Sequence, residues 1–258
     1  MSLSGKTVFV TGASSGIGEA CARAFAQAGA RLLLCARREE RLRELAATLR
    51  EQHGTEVLAF ALDVRHRTAV EEALAALPPE WAVPDILVNN AGLSRGLEPL
   101  HEGSHQDWEE MIDTNVKGLL WISRTLLPGM VERGSGHVIN IGSIAGWEVY
   151  PNGAVYCASK HAVDALTKGM RIDLNGTGVK VSSVDPGLVD TEFSRVRFHG
   201  DQQRADATYT GMTPLSGEDI ADTVLWVASR PAHVNLADIL ILPADQASCA
   251  VVHRRQES

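Results

Sequence analysis

The chain has 258 residues, 45% of them hydrophobic and 22% charged, with a formal net charge of −8 and a pI near 5.6. A chain of this size buries a core that needs no disulfide or metal, and its scattered basic residues exclude nucleic acid as a main partner. No apolar run approaches the ~20 residues that span a bilayer, and Met1 to Lys6 lacks signal-peptide anatomy. Cys21, Cys35, Cys157 and Cys249 show neither CxxC pairing nor metal spacing, so a cytoplasmic protein with no metal and no membrane contact is expected.

Along the chain, short apolar runs alternate with segments of helical period. Strands are expected over residues 7–10, 31–36, 56–62, 85–89, 137–141, 179–184 and 238–242, several nearly continuous in hydrophobics, as in strands covered on both faces. Helices are expected over 16–28, 39–51, 67–76, 105–133, 153–175 and 217–229. The alternation predicts an α/β fold: a doubly wound, Rossmann-like parallel sheet of about seven strands with right-handed crossovers. No linker or repeat interrupts it, so residues 1–258 are expected to form one domain. The stretch from 188 to about 213 lacks a strong period and is polar and basic, and after a strand end it reads as a substrate lid.

The first strand runs into Thr11-Gly12-Ala13-Ser14-Ser15-Gly16-Ile17-Gly18 and then an alanine-rich helix. Glycines at such a turn admit a pyrophosphate to the backbone, and the helix N-terminus offers free N–H groups. The spacing is GxxxGxG, not the general GxGxxG fingerprint. At the end of the second strand, where an acidic residue would hold the ribose hydroxyl of NAD, stand Arg37 and Arg38. Guanidiniums there suit a 2′-phosphate and point to NADP(H), unless Glu39 and Glu40 merely pair with them at a solvated helix start.

Tyr156 and Lys160 share a helix face one turn apart. A neighbouring ammonium favours the phenolate, which is how a tyrosine of ordinary pKa near ~10 becomes a general acid/base. Ser143 follows the fifth strand, at the edge where catalytic groups of such sheets gather, and its hydroxyl can orient a reacting oxygen or simply cap the loop. Asn115 interrupts an otherwise helical stretch and marks a local break or a polar contact.

Taken together, the Thr11 to Gly18 loop, Asn89-Asn90-Ala91-Gly92, Asn115, Ser143, the Tyr156/Lys160 pair and Pro186-Gly187 resemble the short-chain dehydrogenase/reductases in order and spacing along nearly the whole chain. The resemblance implies a tetrad. Tyr156 is its acid/base, and Lys160 lowers that pKa and holds the nicotinamide ribose. Ser143 orients substrate, and Asn115 anchors a water feeding a proton relay. It implies cofactor contacts from Gly12, Ser14, Ser15, Gly16, Ile17 and Gly18, then Arg37, Arg38, Asp63 and Val64, then Asn90, Ala91 and Gly92, and finally Pro186, Gly187, Val189 and Thr191. It also implies a homotetramer, with the helices around Asn115 and Tyr156 at one interface.

Within that family the closer likeness is to the NADP-dependent 3-hydroxy acid (serine/L-allo-threonine) dehydrogenases, carried by Leu77 to Trp81, Asp107 to Asn115, Leu127 to Arg133, Thr191 to Phe198 and Pro231 to Asn235. A small hydroxy acid needs a cation for its carboxylate. Arg197, or else Arg195, is expected to face it, the alternative being solvent-facing arginines; His199 is a further candidate for substrate contact, and Trp147 and Tyr150 are not separated as pocket residues. A broad NADPH aldehyde/ketone reductase is the second enzymatic reading. A non-catalytic NADP(H) sensor is a third, and it sits poorly with an intact tetrad.

Overall fold

The computed structural model describes residues 2–255; Met1 and residues 256–258, the ends of the domain expected from the sequence, lie outside the described residues. All the expected strands form: β1 (Thr7–Thr11), β2 (Arg31–Ala36), β3 (Val57–Ala61), β4 (Ile86–Asn89), β5 (Gly136–Ile141), β6 (Val179–Pro186) and β7 (Asp238–Ile241). They make one parallel sheet in the order β3-β2-β1-β4-β5-β6-β7.

Period-two alternation divides the core into two layers. Val8 and Val10 of β1, with Leu32 and Leu34 of β2, pack against α1 (Gly16–Gln27), α2 (Glu39–His53) and α9 (Gly217–Ala228). Phe9 and Leu33, one residue out of phase, pack on the other face against α3 (Arg67–Ala75) and α5 (Leu119–Arg133). Burial on both faces is why these strands read as unbroken apolar runs. β1 pairs with both β2 and β4, so the connections diverge there and open a crevice at the strand carboxyl ends.

The structure departs from the expected elements in two places. The single helix expected over 105–133 is instead α4 (His105–Ile112), a π-helical turn (Asp113–Gly118) and α5, with Asn115 in the widened turn. The stretch after β6 folds into two short helices, α7 (Glu192–Arg197) and α8 (Gln202–Ala207), each started by a side-chain cap, Thr191 accepting from Phe193 N and Asp201 from Arg204 N. Tyr156 and Lys160 lie on α6 (Ala154–Asp173). No helix among the described residues is long and apolar enough to cross a membrane.

Candidate active site

A cleft of about 610 Å³ lies over the strand carboxyl ends, lined from Gly12 on the first loop to Arg254 near the chain's end. Its floor is the glycine-rich turn. Gly12 (φ 67°) and Gly16 (φ 55°) adopt left-handed backbone, and a Cβ on Gly12 would stand 2.9 Å from Ala91 Cα. Thr11 Oγ1 accepts from Asn90 N (3.1 Å) and Ala91 N (3.0 Å), and Asn90 Nδ2 donates to Thr11 O (2.9 Å), tying the loops after β1 and β4 together. No side chain caps α1 at Ser15, so its first-turn N–H groups are open to an anion. These residues therefore fit a dinucleotide pyrophosphate. Gly18 serves differently: it is absent from the cleft wall, and a Cβ there would meet Asn90 Nδ2 and Gly12 O at 2.4 Å, so it allows close packing rather than contact.

Arg37 and Arg38 both line the cleft. The acidic neighbours do not claim Arg38: Glu39 pairs with Arg43 (2.6 Å), whereas Arg38 donates to Ser14 Oγ (3.2 Å), Ser15 Oγ (2.5 Å) and Glu192 (2.8 Å). Burial pushes the Asp63 carboxyl up, but hydrogen bonds from Arg65 and the charges of Arg65 and Arg37 outweigh it and hold the carboxyl below its usual range. Both Asp63 oxygens bind Arg65.

The chemical groups converge beyond this floor. Lys160 is buried and donates from Nζ to Ile141 O (2.9 Å), with Nζ 6.0 Å from the centre of the Tyr156 ring. Burial depresses its pKa to about 8, opposed by the charge of Asp185. The Tyr156 phenol is held well above its ordinary value by burial and by Tyr150, while Arg197 and a hydrogen bond with Ser143 pull it down. In this structure Arg197 and Ser143 are the neighbours that pull the phenol down against its burial. Ser143 Oγ caps the turn Ile144–Gly146 by accepting from Ala145 N (3.1 Å), and Ser143 also lines the cleft. Asn115 lies behind the cleft wall. Its amide accepts from Leu93 N (2.8 Å) and donates to Leu93 O (2.8 Å) and Ser159 Oγ (3.0 Å), joining the loop after β4 to α6.

A family profile for short chain dehydrogenases matches residues 6–202. The chain belongs to that family. It is 50% identical over 249 residues to an NADP-dependent 3-hydroxy acid dehydrogenase of Salmonella typhi, covering 96% of this chain and 99% of that protein. It is 45% identical over 241 residues to sulfoacetaldehyde reductase 2 of Chromohalobacter salexigens, covering 93% and 95%. Among solved structures, the closed form of serine dehydrogenase complexed with NADP+ superposes with a TM-score of 0.90 at 48% identity, covering 97% of this chain and all of that one.

The substrate side of this short-chain dehydrogenase separates the two arginines of α7. Arg197 points into the cleft: its guanidinium lies 5.3 Å from the Tyr156 ring centre, 5.5 Å from that of Tyr150 and 5.9 Å from that of Phe193. It donates to Ser94 Oγ (2.9 Å) and to the Tyr150 hydroxyl. Arg195 does not line the cleft and pairs with Glu192 (2.7 Å). Residues two apart on a helix face away from one another, so α7 cannot present both. Tyr150 lines the cleft, whereas Trp147 is 49% exposed and donates from its indole to Asp185 (3.0 Å). His199 also lies off the cleft, paired with Asp107 (3.0 Å).

The wall formed by Gln246, Cys249, Ala250, Val252 and Arg254 was not foreseen from the residues. This segment has no period to betray it. Gln246 Oε1 accepts from Leu188 N (2.8 Å), and Arg254 donates to Thr208 O (3.0 Å) and Thr210 O (2.5 Å).

Proposed function

We propose that this protein is an NADP(H)-dependent dehydrogenase of small 3-hydroxy acids, working reversibly on the corresponding 3-oxo acids or semialdehydes. When bound, the nicotinamide supplies or accepts the hydride. The chain's own residues do the rest. Ser143 and Tyr156 hold the reacting oxygen, and Tyr156 exchanges a proton with it through the phenol. Lys160, whose pKa of about 8 lets it hold or release a proton near neutrality, binds ribose and recharges Tyr156. Asn115 positions Lys160's surroundings through Leu93 and Ser159. The glycine-rich loop, Ser14, Ser15 and Ile17 cradle phosphate, Arg37 and Arg38 read the 2′-phosphate, and Asp63 and Val64 flank adenine. Asn90, Ala91, Gly92, Pro186, Gly187, Val189 and Thr191 flank the rest of the dinucleotide.

The observation that carries the substrate class is Arg197, a cation placed 5.3 Å from the Tyr156 ring in a cleft walled by Tyr150 and Phe193. A carboxylate on that guanidinium puts a carbon one or two bonds away near the phenol. Relatives named for 3-hydroxy acids and for sulfoacetaldehyde, both small and anionic, support this reading. The residues from 188 to about 213 serve as a substrate lid on a single catalytic domain, in a cytoplasmic homotetramer. The test is NADPH oxidation with malonic and succinic semialdehydes against neutral aldehydes and ketones of equal length. A broad reductase would show no preference for the anions. Tyr156→Phe is expected to lower turnover at least ~1000-fold while leaving NADPH binding in place; a sensor would keep its function.

A further inference from the structure

Glu192, the first residue of α7, lines the cleft beside the glycine-rich loop. Its carboxylate is 2.8 Å from Arg38 Nη1, 2.9 Å from Arg41 Nη1 and 2.7 Å from Arg195 Nη2. Arg38 is fixed from its other side by Ser14 Oγ and Ser15 Oγ. An internal anion thus stands where a guanidinium from the end of β2, itself bonded to the phosphate loop, meets another from the first turn of α2.

We propose that the Glu192 carboxylate occupies the seat of the cofactor's 2′-phosphate, and that Arg41 joins Arg38 in reading that phosphate, so that cofactor binding exchanges one anion for the other. The inference rests on the NADP(H) reading above. Once Glu192 and Arg195 leave together, the guanidiniums of Arg38 and Arg41 remain, two positive charges that match a phosphate monoester carrying ≈ −1.5 to −2 with three acceptor oxygens. The pairs being given up are part-exposed, with Arg38 42%, Arg41 45% and Glu192 25% accessible, so breaking them costs little. Glu192 does not become unpaired by the exchange, because Arg195 is on its own helix three residues on and travels with it. Arg195, foreseen as a substrate contact, is on this view the partner that receives the displaced carboxylate. The strong preference of Glu192 for its charged form, its carboxyl held at about 2 by Arg38 and Arg41 against the effect of burial, is what an occupied anion seat produces. The exchange also frees the first turn of the helix that carries Phe193 and Arg197 to Tyr156.

The experiment measures Kd for NADPH and NADH by fluorescence titration, and the thermal shift given by 2′,5′-ADP and by ADP, on wild type, Glu192→Gln and Arg41→Gln. Without its competitor, Glu192→Gln is expected to bind NADPH about fivefold more tightly and to respond more to 2′,5′-ADP, with NADH and ADP unchanged within about twofold. Arg41→Gln is expected to weaken NADPH and 2′,5′-ADP about tenfold, again sparing NADH. Glu192→Asp, which keeps the charge but shortens its reach, should fall between wild type and Glu192→Gln. NADPH affinity unchanged or weakened in Glu192→Gln, or NADH moving in step with NADPH, overturns the proposal. A wild type that does not prefer NADPH to NADH overturns the cofactor reading instead.

Discussion

Replacing Arg197 by Met removes the cation and keeps an unbranched stem to fill the space among Tyr150, Tyr156 and Phe193. Truncating one partner of a desolvated charge pair costs about 2–5 kcal/mol. Arg197 is also held by Ser94 and Tyr150, and the cleft opens to solvent, so the lower part of that range applies. About 2–4 kcal/mol corresponds to a loss of roughly 30- to 1000-fold in kcat/KM for malonic semialdehyde. A neutral aldehyde of equal length should lose less than about fivefold. The substitution should also move the pH profile. Arg197 is one of the groups that lower the Tyr156 phenol, so without it the phenol rises further, and the limb of hydroxy-acid oxidation that needs the phenolate shifts to higher pH. Steady-state kinetics in both directions across pH measure both effects. Equal losses on charged and neutral substrates, or a loss under about fivefold on the charged one, would refute the role given to Arg197.

Two further outcomes follow from buried ionisable groups. Asp185, whose carboxylate accepts from Trp147 Nε1 (3.0 Å) and Ser183 Oγ (2.5 Å), raises the pKa of Lys160 by its charge; Asp185→Asn should therefore lower it further below about 8 and draw the alkaline limb of kcat/KM to lower pH, and an unmoved limb would remove Asp185 from the proton path. His137 is buried and neutral, with Nε2 on Ser182 Oγ (2.8 Å), and burial, aided by Lys180, depresses its pKa from 6.5 to about 3. The unfolded chain takes up this proton at higher pH than the folded protein, so the stability is complete above the unfolded value and is lost as pH falls toward the folded one. About 2 kcal/mol should go between pH ~6.5 and pH ~5 in denaturant titrations. His137→Gln should flatten that difference, and a variant with the wild-type slope would contradict the assignment.

Much of this architecture was open to reading from residues alone because its strongest signals are local. Strands buried on both faces spell themselves out as Val-Phe-Val and Leu-Leu-Leu, and the turn at Gly12 and Gly16 needs a conformation that only glycine takes easily. Tyr156 and Lys160 are neighbours by helix geometry. What stayed hidden depends on contacts between distant segments. The π-turn at Asn115 leaves the apolar pattern of its helix intact, and only a polar residue in a helical stretch hinted at it. Tyr150 and Trp147 are equally aromatic in sequence, and it is the packing of α7 that turns one toward the cleft. The helix cap at Thr191 and Glu192 was the available signal that the lid begins with a helix, and with a helix there the choice between Arg195 and Arg197 becomes a question of face. The wall from Gln246 to Arg254 has no such local mark.

The parallel sheet with β1 and β4 side by side has a kinetic consequence. The cleft takes residues from Gly12 to Arg254, and adjacent strands such as β1 and β4 are separated by most of a hundred residues of chain. Contacts of such long sequence separation close late, after loop entropy has been overcome. As the chain emerges from the ribosome, the residues of the phosphate loop and of the loop after β4 that holds it are made long before the segment that walls the cleft. Binding competence is therefore expected as one of the last properties gained in folding, and cofactor present during refolding should stabilise the product far more than any intermediate.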